Sequence, residues 1–335
     1  MTAAHAIRIA TARISALSLA LAMLWPVLLL GPGTASAQPP RRPPASASLE
    51  GLWTNVSATP LERPAPFDGP TTTEAQAAAF EKSSAAAFNN ADVDDIGGRQ
   101  TEWWETGGAM LRIRGQIHTS VIVDPADGKL PYTPAGRALM EAARGARLAG
   151  FDNPETRPSS ERCLMGGSSS SSVPTLPHWD NSHYQIVQTP GYVVIRMESG
   201  RDPRIIRLRE TRHLTPGMRP WMGDSIGHWE GRTLVVETTN LNPGEAYKSP
   251  QPLYISPNAK VTERFTRISA GEILYDFTVD DPAVFARPWR GELLFHASKG
   301  PLYEFACHEG NYSLPGILAG ARHDEQVAAK TAAGH

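Results

Sequence analysis

Three ionisable residues sit where strand alternation could carry them into an apolar interior. In the segment 233–239, Val235 and Glu237 share one face, opposite Leu234 and Val236. In the last apolar segment, Leu302, Glu304, Ala306 and His308 share a face, while Tyr303, Phe305 and Cys307 take the other. With the apolar neighbours turned inward, Glu237, Glu304 and His308 enter a water-poor hollow. Desolvation there raises glutamate pKa values toward the range a general acid or base needs. The opposite orientation leaves Glu237, and also Glu263 beside Val261 and Phe265, as ordinary solvated strand residues. His213, in Arg212-His213-Leu214-Thr215-Pro216, and Asp224, in Gly223-Asp224-Ser225, flank Trp221. A histidine near carboxylates can orient or relay a proton, although an aspartate in such a turn more often caps backbone N–H groups. Trp221, Trp229, Arg219 and Tyr275 are the candidate substrate-binding residues, the indoles walling a pocket for a flat or apolar ligand. Core packing is the plainer role for these indoles and for Trp179 and Trp289.

Other chemistries find less support. Ser225 lacks the G-x-S-x-G frame of a nucleophile elbow. No H-E-x-x-H or paired C-x-x-C spacing marks a zinc site, so no cofactor is expected, and a metal held by His213 with carboxylates is the open alternative. Asp280-Asp281-Pro282 offers a second acid pair for acid/base work. Asp92, Asp94 and Asp95 before Gly97-Gly98 resemble half a calcium loop without its closing glutamate, and read as a solvated turn.

The elements that must position these groups are mainly strands. From Tyr184 onward, apolar-rich segments recur between turns: 184–188, 192–198, 204–208, 233–239, 260–268, 272–279, 291–296 and 302–307. Eight strands without helical crossovers predict an antiparallel β-barrel of lipocalin-like outline, or a related sandwich, with the N-terminal helices and long loops packed on it. About eight strands can close around one small ligand. The proline-rich insert from Asn242 to Asn258 is a candidate lid. Upstream, Trp53 is a core anchor, Thr73 caps a helix from Glu74 to about Phe88, and 116–123 alternates as a strand. Thr133-Pro134 starts a second helix reaching about Leu148. Nothing regular is expected from about 150 to 177, which includes the polyserine run 168–172.

Composition narrows the setting. Arg8 and Arg13, an apolar run from Ile14 to Leu30, and Ala35-Ser36-Ala37 read as a secretory signal peptide over 1–37. A membrane anchor is the competing reading, against which Pro26 and Gly31-Pro32-Gly33 weigh. The adjacent arginine pair of a twin-arginine leader is missing. The expected location is therefore periplasmic or secreted, with no stable membrane insertion after cleavage. Residues 38–48 read as a disordered Pro/Ser linker, 49–322 as one β-rich domain (49–178 rich in helix and loop, 179–322 the β meander), and 323–335 as a disordered tail. The formal charge of −2 becomes two units more negative when Arg8 and Arg13 leave, so a basic nucleic-acid footprint is absent. Cys163 and Cys307 are the only cysteines, and in an oxidising compartment they read as one disulfide. The rival reading is a reactive thiol beside His308.

The segments Tyr184–Tyr192 (YQIVQTPGY), Trp221–Ser225 (WMGDS), Trp229–Thr238 (WEGRTLVVET) and Cys307–Tyr312 (CHEGNY) together resemble a widespread group of exported bacterial proteins of unassigned function, spanning about Trp53 to Arg322. The resemblance implies export and marks those motifs; it implies no reaction. The polyserine run, His118 and His183 depart from that pattern, which argues against a catalytic role for either histidine. The reading that follows is an exported protein that binds a small apolar or aromatic molecule in a barrel cavity. It would transform the molecule as a cofactor-independent lyase, isomerase or hydrolase. A non-catalytic carrier, or a carbohydrate or cell-envelope module with exposed indoles, are the alternatives. The expected partner is a small-molecule ligand, and the sequence sets no oligomeric state.

Overall fold

A computed structural model describes residues 47–89, 108–165, 173–178, 182–200, 202–248 and 252–333. The leader, the aspartates at 92–95, the polyserine run and Trp179 lie outside the described residues. The first part of the chain carries β1 (Gly51–Thr54), β2 (Thr71–Thr72), α1 (Glu74–Asn89), β3 (Arg112–Ile113), β4 (Gln116–His118), β5 (Ile122–Asp124) and α2 (Pro134–Ala149). Then come β6 (His183–Gln188), β7 (Tyr192–Met197), β8 (Arg204–Arg207), β9 (Asp224–Glu230) and β10 (Thr233–Thr239). The short hairpin β11 (Tyr247–Lys248) and β12 (Leu253–Tyr254) precedes β13 (Lys260–Arg267), β14 (Glu272–Asp280), β15 (Trp289–Ala297) and α3 (Ser313–Ala333).

Nine strands close on themselves in the order β1-β6-β7-β8-β9-β10-β13-β14-β15, with β15 returning to β1 and also pairing with β5. The expected barrel is therefore the fold. Its meander is antiparallel except at one place, where β8 and β9 run parallel, with Ile206 opposite Ser225. A parallel neighbour cannot be joined by a tight turn. The chain from Leu208 to Gly223 must therefore travel back to the starting end of the barrel before β9 begins.

Seven of the eight expected strands form. The eighth, 302–307, alternates in sequence but pairs with no strand among the described residues, and β1 and β9 complete the ring instead. At its two ends β15 is already engaged by β5 and β1, through Arg290 with Asp124 and Ala297 with Trp53, so no edge remains for 302–307. Ser48 is also part of the fold rather than of a loose linker: its hydroxyl donates to Gln188 Oε1 at 2.9 Å, and its carbonyl accepts from Arg267 at 2.6 Å. At the other end α3 is helical across most of the stretch expected to be a disordered tail.

The inner face is filled with rings. Trp53, Tyr184, Phe265, Tyr275, Phe277, Trp289 and Phe295 are all buried. Tyr275 stands edge-on to Phe295 at 5.6 Å and stacks on Phe277 at 5.3 Å. The helices follow their caps: Thr133 Oγ1 accepts from Gly136 N at 2.9 Å, with Pro134 in the first turn. The insert 242–258 packs Leu253 and Ile255 into the main core. It is fastened by Asp281, whose carboxylate accepts from Ser256 N at 2.6 Å and Ser256 Oγ at 2.9 Å. That use makes Asp281, of the Asp280-Asp281 pair, a cap on the insert.

Candidate functional site

The site is built on the outer face of the barrel, beneath the crossover. In β10, Leu234, Val236 and Thr238 are buried on the inner side, while Glu237 faces out with 41% of its side chain exposed. The orientation follows the larger apolar set, since Leu234 and Val236 outweigh Val235. Glu237 stands directly across from Ile226 on β9 and Thr262 on β13. Gly223 takes a left-handed backbone (φ +69°) immediately before β9, and a Cβ there would sit 2.8 Å from Thr238 Cγ2. That turn delivers Asp224, which is buried, to the start of the strand.

Above these strands the crossover brings His213 between the two carboxylates. Its Nδ1 lies 2.9 Å from Asp224 Oδ2 and its Nε2 lies 3.1 Å from Glu237 Oε1. The imidazole is 19% exposed, so it is sheltered yet reachable. Asp224 also accepts from Leu214 N at 2.7 Å and from Arg207 Nη2 at 2.7 Å. Asn240, in a left-handed conformation (φ 53°), donates from Nδ2 to the carbonyls of Leu214 and Thr215 at 3.0 and 3.1 Å, fixing the loop that holds the ring. Lys260 Nζ stands 3.7 Å from Glu237 Oε2 at the open side. Buried carboxylate, imidazole and open carboxylate thus form a continuous chain along which a proton can pass.

Three of the five residues singled out for catalysis, His213, Asp224 and Glu237, therefore touch one another. Glu304 and His308 do not join them. Both are exposed, on an unpaired stretch rather than on an inward strand face, and Glu237 itself points away from the interior. The dry hollow lined by Glu237, Glu304 and His308 is replaced by a packed centre and an outer-face chain. Cys163 and Cys307 are joined as a disulfide, with Cα atoms 5.7 Å apart, which removes the reactive-thiol reading.

The expected substrate-binding residues scatter. Arg219 is a clasp: its guanidinium donates to Leu241 O at 3.1 Å, to Pro257 O and to Asn258 Oδ1 at 2.7 Å, tying both ends of the insert to the crossover. Trp221 lies against Gly244, where a Cβ would meet its ring at 2.9 Å. Trp229 points inward, partly buried against the core. Tyr275 is inside the barrel. There its hydroxyl donates to Glu263 Oε1 at 2.7 Å and accepts from Thr175 N at 3.0 Å.

Glu263 belongs to a polar group that sequence reasoning missed. Arg204, 2% exposed, meets it with Nη1 at 2.8 Å and with Nη2 in a closer contact. Arg204 also donates to Ser225 Oγ at 3.1 Å and Thr238 Oγ1 at 2.8 Å. Burial opposes the Arg204 charge, but the Glu263 carboxylate outweighs it and the pKa is raised. Burial, with the Glu263 charge, pushes the Tyr275 phenol well above its usual value. That Val261, Glu263 and Phe265 share a face was legible, but Glu263 is buried rather than the solvated strand residue expected from sequence, and its partner across the barrel gave no sign in sequence.

Among the described residues, no group of three or more His, Cys, Asp or Glu is arranged to hold a metal ion, and no helix is long and apolar enough to cross a membrane. No protein-family model matches the chain, and no curated protein matches it.

Proposed function

We propose that the protein is an exported enzyme that transforms a small apolar or aromatic molecule by acid/base chemistry, with His213 as the group that moves the proton. The reading rests on one observation: the His213 ring lies between Asp224 Oδ2 and Glu237 Oε1 at 2.9 and 3.1 Å. Asp224 orients the ring from its buried side, and Glu237 passes the proton toward solvent. The half-exposed Lys260 balances the Glu237 charge. Export is supported by the leader-like first 37 residues, by the resemblance to exported bacterial proteins and by the Cys163–Cys307 disulfide.

The second reading is a non-catalytic binding protein. It is favoured by the two further bonds of Asp224, to Leu214 N and Arg207, which suit a fastening for the crossover. Untargeted mass spectrometry separates the two. Mature protein is incubated with a small-molecule extract of the producing cells, beside H213Q and D224N. The enzyme reading expects a compound consumed by the wild type and spared by H213Q, with D224N slowed by about a hundredfold. Equal consumption by H213Q sinks it. Enrichment of an unchanged compound by all three proteins supports the carrier.

A further inference from the structure

A second cluster of charges lies where the β3–β4 hairpin meets the outer face of β15. Residues Arg114 and Gly115 form the two-residue turn between these strands, both left-handed, at φ 53° and 76°. Asn-Gly or Asp-Gly is the usual pair in such a turn, because a Cβ at positive φ crowds the following carbonyl and the short polar side chain of Asn or Asp offsets this by bonding locally. An arginine in that conformation is an outlier of the kind that gathers at functional sites.

Its side chain reaches Glu292, which is buried. Arg114 Nη1 stands 3.2 and 3.4 Å from the two carboxylate oxygens. Arg290 approaches the same carboxylate, its Nη2 lying 2.5 Å from Glu292 Oε1, and it also grips Asp276 through Nε at 2.6 Å and through Nη2. One buried carboxylate thus holds two guanidinium groups side by side. Neither is used up. The Arg114 bonds run through Nη1 and those of Arg290 through Nε and Nη2, and the two side chains are 65% and 41% exposed. Burial pushes the pKa of His118, on β4, down, with the Glu292 charge opposing and the Arg114 charge adding to the shift.

The geometry points to a binding site for a small carboxylate, one oxygen taken by Arg114 and the other by Arg290, with Glu292 as the pivot that positions both. Guanidinium groups stay charged at any working pH and match a planar oxyanion in shape, where lysine would not. Asp276 and Glu292 balance the two positive charges, so the ligand is held by oriented donors rather than by net charge. The expected affinity is accordingly modest, high micromolar to millimolar. The site is independent of the His213 chain, being carried by β15 and the hairpin.

Isothermal titration with sodium benzoate, and in parallel with inorganic phosphate, at constant ionic strength tests this. The wild type is expected to bind benzoate, R114G and R114Q to bind it at least about tenfold more weakly, and H213Q to bind as the wild type does. Glycine suits the left-handed position, so R114G should retain the fold, and the melting curves of both variants check it. Unchanged benzoate binding in either folded Arg114 variant, or no benzoate binding by the wild type, overturns the inference. Binding of phosphate alone overturns the carboxylate class. Loss of binding in H213Q would place the benzoate at the other site and overturn it as well.

Discussion

Replacing Glu263 by glutamine should be among the most damaging single changes in the barrel. Glu263 is 0% exposed and Arg204 2% exposed, and the two meet through both arms of the guanidinium. E263Q keeps the shape and an acceptor for Tyr275 but leaves the Arg204 charge buried without its counter-ion. Breaking one side of such a pair costs about 3–5 kcal/mol, a large share of the roughly 5–15 kcal/mol that holds a domain folded. Removing both charges is a different matter, because the desolvation of both ions is then avoided. With R204M and E263L together, Ser225 Oγ and Thr238 Oγ1 still bond each other at 2.8 Å, and Tyr275 still receives Thr175 N. The double variant should therefore recover at least half of what E263Q loses. Urea unfolding of the wild type, E263L, R204M and the R204M/E263L double variant gives the cycle, with E263Q measured beside it. A loss under about 1 kcal/mol for E263Q, or a double variant worse than the sum of the singles, refutes the account of an ion pair closed off inside the barrel.

Three further outcomes are expected. Burial holds the His178 imidazole near 4, against 6.5 for a free ring. Its folded pKa being the lower one, the unfolded chain binds the extra proton first. Stability is therefore full above about pH 6.5 and falls as the pH drops toward 4, by up to about 3 kcal/mol. H178N should flatten that part of a urea-midpoint against pH profile; an unchanged slope counts against the buried neutral ring. Replacing Cys163 and Cys307 by serine opens a loop spanning 144 positions and should cost about 2–4 kcal/mol, read as a lower urea midpoint, whereas an unmoved midpoint would show the bridge to be incidental. Glu304 and His308 are exposed and unpaired with the His213 chain, so E304Q/H308Q should keep both the stability and any turnover of the wild type. A collapse of turnover in that variant would return these residues to the chemistry.

Strand positions were legible where β-branched residues dominate. The segment 233–239 is β10 to the residue, and 260–268 and 272–279 match β13 and β14 to within one position. β9 was hidden because Asp224, Ser225, Gly227 and His228 carry turn chemistry, and its inward side is mostly small: Ser225 and Gly227 before Trp229. At Gly227 a side chain would strike Ile206 at 2.8 Å, so the residue that weakens the strand signal is the one that lets β8 and β9 approach. The segment 302–307 misled for the opposite reason: its alternation is sound, but pairing depends on a vacant edge, and local sequence does not record which edges are taken. For the site, residue types singled out His213, Asp224 and Glu237 separately. Their meeting depends on the parallel β8–β9 step that folds residues 208–223 back over the barrel, a long-range feature. Arg204 was missed on similar grounds, since a lone arginine in a short strand gives no sign of a glutamate 59 residues further along.

The central claim is that chemistry takes place at the His213 chain on the outside of the barrel rather than in its interior. NMR spectra of the imidazole and aromatic ring protons, recorded while titrating in the compound that the wild type consumes from the extract, test it most directly. The account predicts that the His213 ring resonance moves in step with saturation while Phe265, Phe277 and Phe295 stay in place, and that E237Q reduces the change. Movement of those three buried rings with His213 unmoved would contradict it and return the ligand to the interior.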